Sequence, residues 1–269
     1  MITIIGGGRM GRGLAAALSA AGERVTLWSR REATGVVADA VAGARTVLLA
    51  VPDDAITDVA ADLAQAGAIA KDQIVLHLSG LHGARALHPL LASGAALGSW
   101  HPLQTVSDPE TAAARWRGAI AAVEGDAAAV MEASRLSRQL GLEPVPLRAE
   151  AKVAYHAGAV IASNYVVALA AMAGRLAEGA GISRDLAARM YLPLLQGAVA
   201  NLARQSPVEA LTGPVRRGDV TTIGAHLEAL APEDRVIYAK LGLEALRLAR
   251  AAGLEPQRAD AVERVLRDY

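Results

Sequence analysis

The run Met1-Ile2-Thr3-Ile4-Ile5, followed at once by Gly6-Gly7-Gly8-Arg9-Met10-Gly11, constrains this chain more than any other feature. A short apolar strand, a turn spaced G-x-G-x-x-G and an Ala-rich helical stretch form a unit that parallel α/β sheets use to face phosphates. Gly6 permits the tight turn, Gly8 lets a pyrophosphate approach the backbone, and Gly11 allows the helix to pack close to the strand. The freed N–H groups around Arg9 and Met10 then sit at a helix N-terminus, which favours an anion. A glycine turn without a ligand is the plain alternative; the placement after a strand and before a helix argues against it.

The end of the second strand selects the dinucleotide. A site for NAD places Asp or Glu there, on the ribose 2′-hydroxyl, and such a carboxylate would repel a 2′-phosphate. This chain reads Trp28-Ser29-Arg30-Arg31, with Glu32 one residue further on. Ser29 can donate a hydrogen bond, and Arg30 and Arg31 supply forked donors and charge, so the expected cofactor is NADP. Two solvated surface arginines are the competing reading. The loop after the third strand, Val51-Pro52-Asp53, is expected over the carboxyl edge of the sheet, where such folds bind ligands. A strand followed by a Pro-containing helix start explains the same residues without a ligand.

Seven short β-type runs alternate with helical stretches as far as Arg148: Ile2–Ile5, Val25–Trp28, Thr46–Val51, Ile74–Leu78, Ala96–Trp100, Ala119–Val123 and Pro144–Leu147. Asp53 and Asp126 are expected to cap two of the helices. Beyond residue 148 the pattern is helix upon helix, broken at Gly179-Ala180-Gly181, Ser206-Pro207, Thr212-Gly213-Pro214 and Ala231-Pro232. The expected fold is therefore α/β, an N-terminal Rossmann parallel sheet over residues 1–148 with a C-terminal all-helical domain over 149–269. Ala157 to Gly174 carries no charge and is long enough to suggest a membrane span. Its Ala content, Ser163 and Asn164 at its middle, and the flanking Lys152 and Arg175 favour a buried helix of a soluble domain. Its burial on more than one side is expected to make the protein a homodimer.

Composition removes several chemistries. Without Cys there is no disulfide, Cys-ligated zinc, iron–sulfur cluster or Cys nucleophile. Lys plus Arg balance Asp plus Glu at 27 each, which gives no electrostatic reason to expect nucleic acid or an anionic membrane as partner. The chain opens directly on its first strand, and a cytoplasmic location is expected.

The candidate acid/base residues fall in two groups. His77, Ser79, His82 and His101 belong to the sheet half. Ser79 and His101 are expected at strand ends beside the nicotinamide, whereas His77 reads as a core histidine and His88 as structural. The second group is Lys152, Tyr155, His156, Ser163 and Asn164 on one helix. At about 100° per residue, Lys152, His156 and Ser163 fall within roughly 40° of one another. Such a stripe on an Ala-rich helix needs partners, either an active site or a polar domain interface. Asp219 reads as a helix cap, and Arg216 and Arg217 beside Thr212-Gly213-Pro214 could reach an anion or serve a plain interhelical loop.

Several of these residues carry a family resemblance. Tyr155-His156-Ala157, Ala162-Ser163-Asn164-Tyr165, Leu211-Thr212-Gly213-Pro214, Arg217-Gly218-Asp219 and His226-Leu227 resemble the helical domain of a predicted-oxidoreductase family that joins a Rossmann-like domain to a C-terminal domain of unknown function. That family resembles the 6-phosphogluconate dehydrogenase-like superfamily, near pyrroline-5-carboxylate reductase, ketopantoate reductase and prephenate dehydrogenase. The resemblance implies NADP bound by the N-terminal domain, a substrate cleft between domains, and dimers built through the helical domain. His101-Pro102 is similar to the His-Pro of prephenate dehydrogenases, whose histidine contacts the reacting hydroxyl, although Gln104-Thr105 departs from that pattern. In β-hydroxyacid dehydrogenases a helix lysine works with an asparagine four residues later; here His156 stands at that spacing from Lys152.

The expected function is hydride transfer between NADP(H) and a small keto, hydroxy or imine compound. His101 is the expected acid/base, Ser79 and Asn164 orient the substrate, and Lys152 and His156 close the site. The alternatives are a non-catalytic NADP(H)-binding redox sensor and a prephenate dehydrogenase-like enzyme.

Overall fold

The computed structural model describes residues 1–30, 36–106, 108 and 112–269. It divides into two compact units, Met1–Tyr165 and Val166–Tyr269. The division falls later than the change of pattern near residue 148, because the segment from Ala149 to Ala162 is bound to the sheet by side chains described below.

The first unit is a seven-stranded sheet: β1 (Ile2–Ile5), β2 (Val25–Trp28), β3 (Thr46–Leu49), β4 (Ile74–His77), β5 (Ala96–Pro102), β6 (Ile120–Gly125) and β7 (Glu143–Pro146), in the order β2-β1-β3-β4-β5-β6-β7. β1 to β5 are parallel, as expected. β6 runs antiparallel to β5, with β7 parallel to β6, so the sheet is mostly rather than wholly parallel. The reversal places Ser99 opposite Glu124 and His101 opposite Ala122. β5 also extends two residues past the expected end at Trp100, which carries His101 into the ladder.

The helices of this unit are α1 (Arg9–Ala20), α2 (Val37–Val41), α3 (Ile56–Gln65), α4 (Ala112–Trp116), α5 (Ala127–Gln139) and α6 (Lys152–Ala162). All residues of β1, β3 and β4 are buried, the pattern of strands covered on both faces. Leu14 and Leu18 of α1 and Ala129, Ala133 and Leu136 of α5 meet Ile2, Ile4, Leu48 and Trp100 on one face. Ile56, Ala60 and Leu63 of α3 meet Ile5, Val47, Leu49 and Val75 on the other. Two expected caps are not made. Pro52 occupies the cap position before Asp53, and the Asp126 carboxylate accepts from the Leu97 backbone at 2.8 Å, tying α5 to β5 instead of capping.

The second unit holds most of α7 (Asn164–Gly179), with α8 (Arg184–Met190), α9 (Leu192–Leu202), α10 (Pro207–Ala210), α11 (Pro214–Arg217), α12 (Val220–Ala229), α13 (Pro232–Ala251) and α14 (Pro256–Arg267). Its core is Val215, Ile223, Leu227, Ala239, Leu246, Ala249, Ala259, Val262 and Leu266. Asp219 caps α12 by accepting from Thr222 N–H at 3.1 Å, as its position predicts. Arg216 donates to the Ala252 carbonyl and Arg217 lies 3.8 Å from Asp219, so both serve the fold of this unit.

The buried-helix expectation for Ala157 to Gly174 does not hold within the single chain. The helical stretch Ala149–Gly179 is apolar and long enough to cross a membrane, yet 6% of its most apolar window is buried. Nor is it one regular helix: Ser163, at φ −126° and ψ −73°, interrupts it between α6 and α7. Ser163 instead closes α6, and its hydroxyl donates to Asn164 Oδ1 at 3.4 Å.

Candidate functional site

The chain leaves β1 for β2 on one side and returns to β3 on the other, so the sheet reverses direction of travel at β1. Folds of this kind bind ligands in the crevice outside the carboxyl ends of the strands at such a reversal. Two loops flank it here, Gly6–Gly8 after β1 and Ala50–Asp53 after β3. Gly6 has φ of 123°, and a Cβ on it would run into the Ala50 carbonyl; a Cβ on Gly11 would run into the Gly6 carbonyl. These two positions are closed to any larger residue. Gly8 differs, since a Cβ there would meet nothing within 4 Å. The loop thus packs tightly where helix meets strand and opens where a pyrophosphate would come against α1, whose first-turn N–H groups have no helix carbonyl to bond. Arg9 is exposed at this opening, and Met10 turns inward onto the core.

Ser29, one residue past β2, lies against this loop: its Oγ is 2.9 Å from the Cβ position of Gly7. Arg12 donates to the Gly7 carbonyl at 2.9 Å from the other direction. Arg30 is exposed, whereas Arg31 and Glu32 lie outside the described residues. Val51 is half-buried, and Pro52 and Asp53 are exposed.

Further along the same edge, a buried lysine gathers a polar cluster. Lys152, in the first turn of α6, is fully buried and donates to the Ser79 carbonyl at 3.0 Å and to Ser99 Oγ at 2.9 Å. Ser99 in turn lies 3.4 Å from Glu124 Oε2, which also accepts from Ala84 N–H at 2.6 Å. Burial lowers the Lys152 pKa to about 8, against the pull of Glu124 and Asp53 in the other direction. One turn on, Tyr155 OH stands 3.0 Å from His101 Nδ1, and the His156 ring packs edge-on to His101 with centroids 5.9 Å apart. Both imidazoles close over Gly80, where a Cβ would come within 2.6 Å of His156 Nδ1 and 2.9 Å of His101 Nε2. Only glycine fits there. His156 Nδ1 is buried without a hydrogen-bond partner.

Burial, reinforced by the Lys152 charge and by His156, lowers the His101 pKa to about 4, so this imidazole is neutral at pH 7. His77 is lowered to about 4 as well, first by burial. Its Nδ1 accepts from Ser79 N–H at 3.2 Å and its Nε2 lies 3.0 Å from the Gly83 carbonyl, which requires a neutral ring protonated on Nε2. His77 is therefore the satisfied core histidine its position suggested.

The expected site residues thus divide. His101, Lys152 and His156 come together with Ser79. The Ser79 hydroxyl accepts from Leu81 and His82 N–H at 3.1 and 3.0 Å, so this residue shapes the turn beneath the cluster. Asn164 is exposed, pairs with Ser163 at 3.4 Å and does not touch the cluster. Gly80, Ser99 and Glu124 carry no local sequence signal of a functional role. Tyr155 carried a signal, standing three residues from Lys152 and one from His156. Among the described residues no group of three His, Asp or Glu side chains could hold a metal ion.

Two domain families match the chain: a Rossmann-like domain over residues 1–102 and a domain of unknown function, DUF2520, over 119–245. The chain pairs these two domains, as its sequence motifs indicated. No curated protein matches it in sequence. Among solved structures, a candidate NADP oxidoreductase from Bacteroides fragilis is similar with a TM-score of 0.71 and 21% identity, covering 91% of this chain and 96% of that one. A protein from Thermotoga maritima gives 0.70 and 23%, covering 93% and 99%. Pyrroline carboxylate reductase from Plasmodium falciparum, solved with NADP bound, gives 0.62 and 12%, covering 98% and 97%. At these identities the likeness establishes the fold.

The two depressed imidazoles make stability depend on pH. Each binds a proton more weakly folded than unfolded, so its contribution is complete above its ordinary pKa of 6.5 and is lost as pH falls towards 4. The unfolding free energy from urea titration should fall between pH 7 and pH 5, by up to about 2 kcal/mol for His77 alone, and the midpoint with it. His77→Gln should make that drop shallower; a wild-type midpoint unchanged over this range would contradict the assignment.

Proposed function

We propose that this union of a Rossmann-like and a DUF2520 domain is an NADP(H)-dependent oxidoreductase that moves a hydride to or from a small keto, hydroxy or imine compound. The carrying observation is the glycine loop at the sheet's reversal point, closed at Gly6 and Gly11 and open at Gly8. The residues present fit a dinucleotide. The backbone of Gly8, Arg9 and Met10 would hold the pyrophosphate, Ser29, Arg30 and Arg31 the 2′-phosphate, and Val51, Pro52 and Asp53 would wall the crevice. The NADP named for the Bacteroides and Plasmodium proteins supports the same choice. The nicotinamide, when bound, supplies or accepts the hydride. His101, at the end of β5 on the same edge, hydrogen-bonds the reacting oxygen or nitrogen of the substrate, and Lys152 and His156 complete the site from α6.

The protein is read as a soluble, cytoplasmic homodimer. Lys152 binds the start of α6 to the sheet, which keeps that part of the apolar stretch out of a bilayer. The exposed apolar side chains of α7 and α9, with Val167 at 71% and Leu194 at 70%, call for cover by a second copy.

Three outcomes are expected. Fluorescence titration should show tighter binding of NADPH than NADH, with Arg30→Ala or Arg31→Ala weakening NADPH by about 1.5–3 kcal/mol, the scale of a hydrogen bond to a charged group. Equal affinities unchanged in the variants would refute the cofactor choice. In a screen of keto acids and cyclic imines for NADPH oxidation, His101→Gln should lower turnover by about 10²–10⁴-fold with NADPH affinity nearly intact; full activity would remove His101 from the chemistry. Light scattering at micromolar concentration should give twice the 27.7 kDa chain mass; the monomer mass would exclude the dimer.

A further inference from the structure

Among the described residues, Tyr155 is the only hydrogen-bond partner of His101. Its ring meets the imidazole edge-on, 88° between planes and 5.6 Å between centroids, with the hydroxyl 3.0 Å from Nδ1. A phenol is a better donor than a neutral imidazole N–H, and an imidazole lone pair a better acceptor than a phenol oxygen. In a neutral pair the shared proton therefore stays on Tyr155 and points at Nδ1. Burial pushes the Tyr155 pKa up to about 12, which keeps that proton on oxygen. The one ring proton of His101 is then on Nε2, the nitrogen that faces Gly80 beside the unpartnered His156 Nδ1. His101 Nε2 and the buried His156 Nδ1 thus flank one spot at Gly80, neither with a hydrogen-bond partner among the described residues.

We propose that Tyr155 is the positioning residue of His101: by donating to Nδ1 it fixes the ring as the Nε2–H tautomer, so the site offers a hydrogen-bond donor to an acceptor atom on the substrate, a carbonyl oxygen or an imine nitrogen. This rests on His101 being the residue that meets the substrate. The other groups facing His101 are Lys152 and His156 on α6, His77 at the end of β4, and Asp53 after β3. A carboxylate in place of the phenol would draw a second proton onto the ring. Tyr155 orients the imidazole without adding charge, which suits a neutral donor that polarises a carbonyl or imine.

Nitrogen-15 spectra of the histidine rings in the full chain at pH 7 test this, with the His101 signals identified by their loss in His101→Gln. The wild type should show a protonated Nε2 and an unprotonated Nδ1, and Tyr155→Phe should shift these signals towards an average of the two tautomers. Turnover in Tyr155→Phe should fall about tenfold with KM little changed, the value of one oriented hydrogen bond. A wild-type ring protonated on Nδ1 or on both nitrogens would overturn the proposal, as would His101 signals unmoved in Tyr155→Phe. The wild-type spectrum needs no variant of Tyr155, so poor folding of that variant leaves the test intact. Full turnover in His101→Gln alongside the expected spectrum would reject the functional reading and leave the tautomer standing.

Discussion

The site depends on one buried ammonium group. Lys152 uses two of its three donors on the Ser79 carbonyl and Ser99 Oγ, and so fastens the first turn of α6 to the turn after β4 and to the middle of β5. One turn later the same helix delivers Tyr155 and His156 to His101. Without the clamp, a helix made largely of small apolar residues would have little to fix its rotation on the sheet. A charge this deeply buried is costly, and its cost appears as a pKa lowered to about 8. Glu124 offsets part of that cost through Ser99, which explains why an acidic residue stands on β6 directly across from Ser99.

The same charge sets the character of the neighbouring imidazoles. His101 and His77 are disfavoured as cations by burial and by Lys152 together, so at neutral pH the edge of the sheet presents uncharged rings beside a fixed positive charge. Tautomer, not ionisation, then decides what each ring can do. His77 is held by two backbone groups and is spent in the fold. His101 is held on one nitrogen and is open on the other. Gly80 makes the arrangement possible, because any side chain there would displace both His101 and His156.

Much of this was legible in the sequence. The glycine loop, the strand ends and the change to helices followed from apolar periodicity and turn residues, which are local signals. The spacing of Lys152 and His156 along a helix gave their common face. What the sequence hid was non-local. Nothing in the local pattern shows that β6 turns back along β5 and so brings Glu124 opposite Ser99, nor that Gly80 lies under two rings. Asp126 reads as a cap, and the Leu97 backbone outcompetes the helix for its carboxylate. Ser163 looks like part of a polar stripe until the helix breaks at that residue. The expectation that Ala157 to Gly174 is buried failed because Ala content reports low cost of packing, not the presence of anything to pack against within one chain.

The proposed site joins two parts of one sheet edge, the glycine loop and the cluster clamped by Lys152. The most direct test is a crystal structure of the full chain soaked with NADPH, read for the position of the nicotinamide ring. The pyrophosphate should lie against Gly8 and the ring should extend past Asp53 to within contact of His101 and Gly80, with Lys152 still bound to Ser79 and Ser99. A dinucleotide that binds at the glycine loop but leaves its nicotinamide remote from His101 and Tyr155 would contradict the account.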